Sequence, residues 1–169
     1  MPTTTPRSKI NPKKQVRLLS ALVALSLAFS GFLLLTAALP LQDICFEDNC
    51  VTAESARSPE QRTQGLMYRS SLTKGRGMLL IFEKPGHYSI WMKNMKFPID
   101  IIWMNEAAKV VHLTPQVQPC KNDPCPSYSA DEAALYVLEV PAGTAESLGI
   151  ASGAKAKIGS RYLLPMDER

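Results

Sequence analysis

Between Leu18 and Leu41 the chain carries 24 consecutive residues without a charge, and no other feature restricts its fold as strongly. At about 1.5 Å per residue, a helix of that length crosses the roughly 30 Å hydrocarbon core of a bilayer. Five basic residues precede the run (Arg7, Lys9, Lys13, Lys14 and Arg17), and all 15 acidic residues follow it. Retained Lys and Arg set orientation, so residues 1–17 are expected as a basic cytoplasmic tip, 18–41 as one N-terminal transmembrane helix, and 42–169 as a single domain outside the cytoplasm. A cleaved signal peptide is the competing reading and would leave a secreted or periplasmic product. Its apolar core is normally only about 7 to 15 residues long, and Thr36-Ala37-Ala38 matches the cleavage pattern loosely. Gln42-Asp43-Ile44 ahead of Cys45 is not a lipidation signal.

The formal charge of +4 belongs to the tip, since the part from Gln42 on holds 14 basic against 15 acidic residues. A nearly neutral body lacks the basic face that nucleic-acid binding needs. Its 128 residues suffice for one core and not for two.

Four cysteines stand in two C-x4-C pairs, Cys45/Cys50 and Cys120/Cys125. An even set in an exported domain favours disulfides. A four-thiolate zinc site is the weaker alternative, because exported thiols oxidise readily and the pairs lie far apart in the chain. The count alone permits three connectivities. Local pairing is favoured, because Pro119 and Pro124-Cys125-Pro126 form a stiff turn that brings two sulfurs together.

After Leu41 the pattern is one of short apolar runs separated by turns. Cys50 to Ala56 reads as a strand, and Ser58-Pro59-Glu60-Gln61 combines a Ser cap, Pro at the first helical position and Gln at the third, predicting a short helix to about Met67. Further strands are expected at Met78 to Phe82, Tyr88 to Met92, Ile99 to Met104, Val110 to Leu113, Leu135 to Val140 and Ala154 to Ile158, with a helical turn opening at Pro141 and ending at Leu148. The links look too short for crossover helices, so the strands should be mostly antiparallel. The expectation is a mainly β fold, a compact antiparallel sandwich or partly open barrel with one or two short helices.

Chemistry-bearing residues are densest from Trp91 to Asp100. There a strand ends in polar groups able to hydrogen-bond a ligand beside an aromatic face on which a sugar ring or cation packs. Against this, Asn94 and Asp100 beside Pro98 are also ordinary turn residues. Met67, Met78, Met92, Met95 and Met104, with His87 and His112, raise a cuprous copper site as a weaker reading, since thioethers are soft ligands but also common core fillers. No cofactor is called for. Nucleophilic catalysis finds little support, as there is no G-x-S-x-G elbow and the cysteines look paired.

Gln64-Gly65-Leu66-Met67-Tyr68-Arg69, Gly77 to Phe82, Ile90-Trp91-Met92-Lys93-Asn94 with Pro98-Ile99-Asp100, the Pro119 to Pro126 cysteines, Tyr136 to Glu139, Ala142-Gly143 and Gly149-Ile150 follow one another in a fixed order. In this order the chain resembles, from Val51 to Ile158, the bacterial and archaeal family called domain of unknown function one hundred and ninety-two. It departs from the family pattern at Met95, where Thr is usual, and at Ala154, where Asp is usual. The resemblance implies an exported or membrane-tethered β-rich domain without an established biochemical role, and a shared surface made by Arg69, Trp91, Lys93, Asn94, Asp100 and Glu139. Four of these are charged and costly to bury unpaired, so they should lie in a cleft or in ion pairs. The expected function is a membrane-tethered module that binds a small molecule, glycan or envelope protein through the Trp91 to Asp100 surface. The alternative is a hydrolytic or transferase enzyme that uses Asp100 and Glu139 as a carboxylate pair with Arg69 as charge stabiliser.

Overall fold

Short apolar runs separated by turn residues become strands in the computed structural model, which describes residues 38–160. In chain order the elements are β1 (Leu41–Phe46), β2 (Asn49–Ala56), α1 (Pro59–Gln64), β3 (Arg76–Gly86), β4 (Ile90–Trp91), β5 (Ile99–Met104), β6 (Val110–Val117), β7 (Ser127–Tyr128), β8 (Ala134–Pro141), α2 (Thr144–Ser147) and β9 (Ala156–Ser160). The expected membrane anchor lies, up to residue 37, outside the described residues. Leu39 packs against the core and the Pro40 carbonyl accepts from Ser55 N, so the end of the uncharged run is already part of the folded unit.

Seven strands form one sheet in the order β6-β5-β8-β3-β2-β1-β9, and β4 pairs with β7 in a separate ribbon. The sheet curls into a half-barrel. Its two edges meet at one end, where Val110 N donates to the Ala154 carbonyl, Gly153 N to the Val110 carbonyl and Ala156 N to the Ala108 carbonyl. Beyond that point β6 and β9 run apart. Of the two expected architectures the partly open barrel is therefore the one formed, and the sandwich is not.

Two local features differ from the sequence expectation. β1 was not foreseen, since its alternation of half-buried and buried residues overlaps the end of the apolar run. β2 and β3 are parallel, and the chain between them, from Arg57 to Gly75, is a crossover that carries α1. The helix begins as its sequence predicts. Ser58 Oγ accepts from Gln61 N at 3.2 Å while Gln61 Oε1 accepts from Ser58 N at 3.0 Å, which together satisfy two main-chain donors at the helix start. It ends earlier than Met67, because Gly65 takes a positive φ of 47°.

Strand alternation divides the core between two faces. Ile44, Val51, Leu79, Ile102, Leu138, Val110 and Ala156 come from all seven sheet strands and fill the inside of the half-barrel. Met78, Leu80, Ile101, Trp103 and Val137 point outward, where Leu66 of the crossover and Ile90 of the ribbon cover them. β5 is buried at every position because it is covered on both faces. Trp103 is fully enclosed, its Nε1 donating to the Tyr88 carbonyl at 3.0 Å.

Cys45 faces Cys50 across the β1–β2 hairpin and the two are bonded, as are Cys120 and Cys125. Local pairing is thus the connectivity, and the four-thiolate zinc alternative falls with it. Two disulfides fit an oxidising compartment. Among the described residues no helix is long and apolar enough to span a membrane.

Candidate functional site

Register determines which carboxylates can meet. Asp100 on β5 pairs with Val140 of β8, an inner-face residue, whereas Glu139 pairs with Ile101 and Met78 on the outer face. Asp100 and Glu139 therefore point to opposite sides of the sheet, because side chains directly across a ladder share a face and successive ones alternate. The carboxylate pair required by the enzymatic alternative is not assembled.

Asp100 is fully buried and saturated with main-chain donors. Its Oδ1 accepts from Gln116 N at 2.8 Å and Gly143 N at 3.1 Å, and its Oδ2 accepts from Ala145 N at 2.8 Å. The side chain ties the register shift between β5 and β6 to the turn that starts α2, where Gly143 takes a φ of 82°. This is work inside the scaffold, turned away from any outer-face ligand.

Glu139 has the opposite environment. It lies on β8 in mid-sheet, is only 5% exposed, and accepts no hydrogen bond among the described residues. Burial raises its carboxyl from an ordinary 4.5 to about 7, with the positive charge of Arg69 acting in the other direction. Gly65 passes directly over it, and a Cβ on Gly65 would stand 3.8 Å from Glu139 Oε2. Arg69 does not bond to it. The Arg69 Nη1 and Nη2 instead donate to Glu54 Oε1 and Oε2 at 2.6 and 2.8 Å. These hydrogen bonds, followed by the guanidinium charge, hold the Glu54 carboxyl below its ordinary range, and the same contact raises Arg69.

Above Glu139 a cleft of about 310 Å³ opens between α1 with its following loop and the β4 ribbon. Leu66, Met67, Leu80, Phe82, Ile90, Met95 and Ile99 give it an apolar lining, while Arg62, Thr63, Gln64, Ser89 and Glu139 supply polar atoms. Trp91 forms part of the rim, is 44% exposed and carries Lys93 Nζ at 5.7 Å from its ring centre. Phe82 is covered twice, by Tyr88 stacked at 3.5 Å and by Arg62 at 5.0 Å.

Of the six residues expected in the site, Trp91 and Glu139 line the cleft directly. Arg69 stands behind its wall with Glu54. Asn94 braces the rim: its Nδ2 donates to Tyr68 Oη at 2.8 Å, and Tyr68 N donates to the Asn94 carbonyl at 3.0 Å. Both residues have positive φ, 65° for Tyr68 and 58° for Asn94, so each holds the other in a backbone region that non-glycine residues seldom enter. Lys93 is engaged by Asp123 at 3.2 Å. Asp100 is on the other face.

The thioethers proposed for copper are divided between the faces, with Met104 in the inner core and Met78 and Met92 in the outer one. His112 bonds Thr114 Oγ1 at 3.1 Å, and His87 lies 3.4 Å from the Ala130 carbonyl. Among the described residues no group of three or more His, Cys, Asp or Glu is placed to hold a metal.

Glu54 and Gly65 are not among the expected site residues, and Met67 is expected only as a thioether ligand for copper, whereas it lines the cleft. Gly65 and Met67 lie inside the Gln64 to Arg69 motif and are visible as part of it. Glu54 sits in a weakly alternating strand that gives no such signal.

Comparison with known proteins gives a family and two solved folds. The sequence model of DUF192, described as an uncharacterized ACR, matches residues 43–158. A crystal structure from Sinorhizobium meliloti, described as a candidate transcription regulator, is similar with a TM-score of 0.66 and 27% identity, covering 73% of this chain and 96% of that one. A protein of unknown function from Novosphingobium aromaticivorans matches with a TM-score of 0.61 and 27% identity over 69% of this chain and 83% of its own. No curated protein matches.

Proposed function

This chain belongs to the DUF192 family, and we propose that it is a binding module acting outside the cytoplasm, held there by its N-terminal segment, whose ligand enters the outer-face cleft over Glu139. One observation carries this reading: Glu139 is buried at the floor of an open cleft and accepts no hydrogen bond among the described residues. An ionisable group left unpaired in the interior costs several kcal/mol, roughly, unless a ligand completes it or it keeps its proton. A structural carboxylate would look like Asp100, with its lone pairs filled.

The site is narrower than the Trp91 to Asp100 surface and shifted toward α1. Trp91 and Glu139 touch the ligand in this reading, Arg69 and Asn94 position the walls, and Lys93 with Asp123 steadies the outer side of the rim. The regulator description of the Sinorhizobium relative is not extended to this chain, because 14 basic and 15 acidic residues after Leu41 make no phosphate-binding face.

The test is a thermal-shift screen of the purified chain against a chemically diverse small-molecule set, repeated on Glu139→Gln and Trp91→Phe. Compounds that raise the melting temperature of the parent and not of the variants support the cleft. A screen with no hit sensitive to either substitution overturns it.

A further inference from the structure

The linings of the cleft also narrow the chemistry of what enters it, resting on the reading above that the cleft is a ligand site. We propose that the ligand is a neutral, hydroxyl-rich ring of the size of one monosaccharide, stacked on Trp91 with a hydroxyl directed at Glu139.

Size comes first. A cleft of about 310 Å³ is at the lower end of the roughly 300–1,000 Å³ range of small-molecule sites, so it holds one ring and not a chain. Charge comes second. An unpartnered carboxylate invites a cation, and aromatic rings beside it would add to that attraction. Here the protein's own cations already occupy those positions. Arg62 lies over Phe82, whose stacking partner is Tyr88, and Lys93 lies over Trp91. Arg69 adds its field at Glu139. An incoming ammonium finds the ring faces of the lining already taken by Arg62 and Lys93, with only the exposed part of Trp91 left to receive it.

An anion fares no better, since Arg69 and Lys93 are already paired with Glu54 and Asp123 and the cleft floor itself presents the carboxyl of Glu139. A neutral polyol has neither difficulty. Its hydroxyls donate to Glu139 and exchange hydrogen bonds with Gln64 and Ser89, while the C–H face of its ring covers apolar indole surface. Trp91 and Tyr68 are the large hydrophobic side chains exposed among the described residues, and both belong to segments that border this opening.

The chain has two tryptophans, one at the rim and one fully buried, so its fluorescence separates a cleft event from a global one. The full-length protein, purified without glycoside detergents, is titrated with glucose, N-acetylglucosamine and chitobiose, and in parallel with choline and hexanoate. At least one saccharide is expected to give a saturable change that disappears in Trp91→Phe, and Glu139→Gln is expected to weaken its binding at least tenfold without lowering the melting temperature. Chitobiose binding at least tenfold more tightly than N-acetylglucosamine identifies the end of a glycan chain as the source of the ring, and equal affinity identifies a free sugar. Silence with all three saccharides alongside a Trp91-dependent response to choline or hexanoate overturns the saccharide assignment and leaves the cleft as a ligand site. Silence with every probe, together with a screen lacking hits sensitive to Glu139→Gln, overturns both.

Discussion

Glu54 and Glu139 stand on the same outer face of the sheet, two strands apart with Met78 between them, and the Arg69 guanidinium is bonded to Glu54 alone. Two carboxyl groups in one row thus have opposite character. Glu54 is held ionised by two charge-assisted hydrogen bonds, and Glu139 is pushed toward the protonated form by its burial.

This asymmetry sets a pH dependence of stability. The folded state holds the Glu139 proton more tightly than the unfolded chain, so its contribution is complete below about 4.5 and is lost as pH rises through about 7. The charged groups that face it are Arg69 and, across the cleft, Arg62, with Glu54 behind Arg69. Glu139→Gln removes the titration. We expect the variant to be more stable than the parent by up to about 3 kcal/mol at pH 8.5 and nearly equal to it at pH 4, by denaturant unfolding at the two values.

Glu54→Gln tests the partition of Arg69. Without its carboxylate partner the guanidinium is released toward Glu139, so the Glu139 midpoint should fall. Arg69→Met should raise it instead. Isotope-edited infrared or NMR titration of the Glu139 carboxyl reads both directions, and movement of the two variants in the same direction would contradict the arrangement.

Asp100→Asn should be among the most destabilising polar substitutions in the domain. An amide in place of the carboxylate turns a donor toward main-chain N–H groups, and a hydrogen bond to a charged group is worth about 1.5–3 kcal/mol. A loss of roughly 3 kcal/mol or more is expected, with ligand binding per folded molecule unchanged, because the side chain faces away from the cleft.

Asn94→Ala should cost about 1 kcal/mol through its left-handed backbone. It should also loosen Tyr68, which it bonds from both main chain and side chain. Weaker cleft binding is expected with only a few degrees of melting-temperature change, in contrast to Asp100→Asn. Melting curves and Trp91-dependent titrations on the same samples distinguish the two behaviours.

The Cys120–Cys125 bond gives a fifth expectation. Cys120 N donates to the Met92 carbonyl at 3.1 Å, and Asp123 within the bonded loop holds Lys93. Replacing both cysteines by serine should remove about 2 kcal/mol or less, as the closed loop is short, while blunting the Trp91 response. Thiol titration of the parent protein in denaturant should find none free, in keeping with the two bonds.

How far these features could be read in the sequence depends on how local they are. The Ser58 capping box, the breaks before β5 and after β8 and the pairing of neighbouring cysteines rest on contacts within a few residues, and each was legible. The parallel β2–β3 pair was not, because the helix signal in the crossover does not say which strand its successor joins, and that pairing is made by residues more than twenty positions apart. Asp100 and Glu139 both looked like site residues, and both are buried. Which of them faces the cleft is decided by strand register, a property of pairs far apart in the chain. Glu54 was invisible for the same reason, since it acquires meaning only when Met78 aligns it with Glu139.

The partition of side chains between the two faces of the sheet bears on how such a domain diversifies. Alternate positions along β3, β5 and β8 answer to different demands, one set to folding and the other to what the cleft accepts. In a laboratory selection for new ligands, accepted changes should collect in the outward set, around Leu80, Ile99 and Glu139, while their immediate chain neighbours Leu79, Asp100 and Val140 stay fixed. The protein could change its specificity residue by residue without passing through an unstable ancestor.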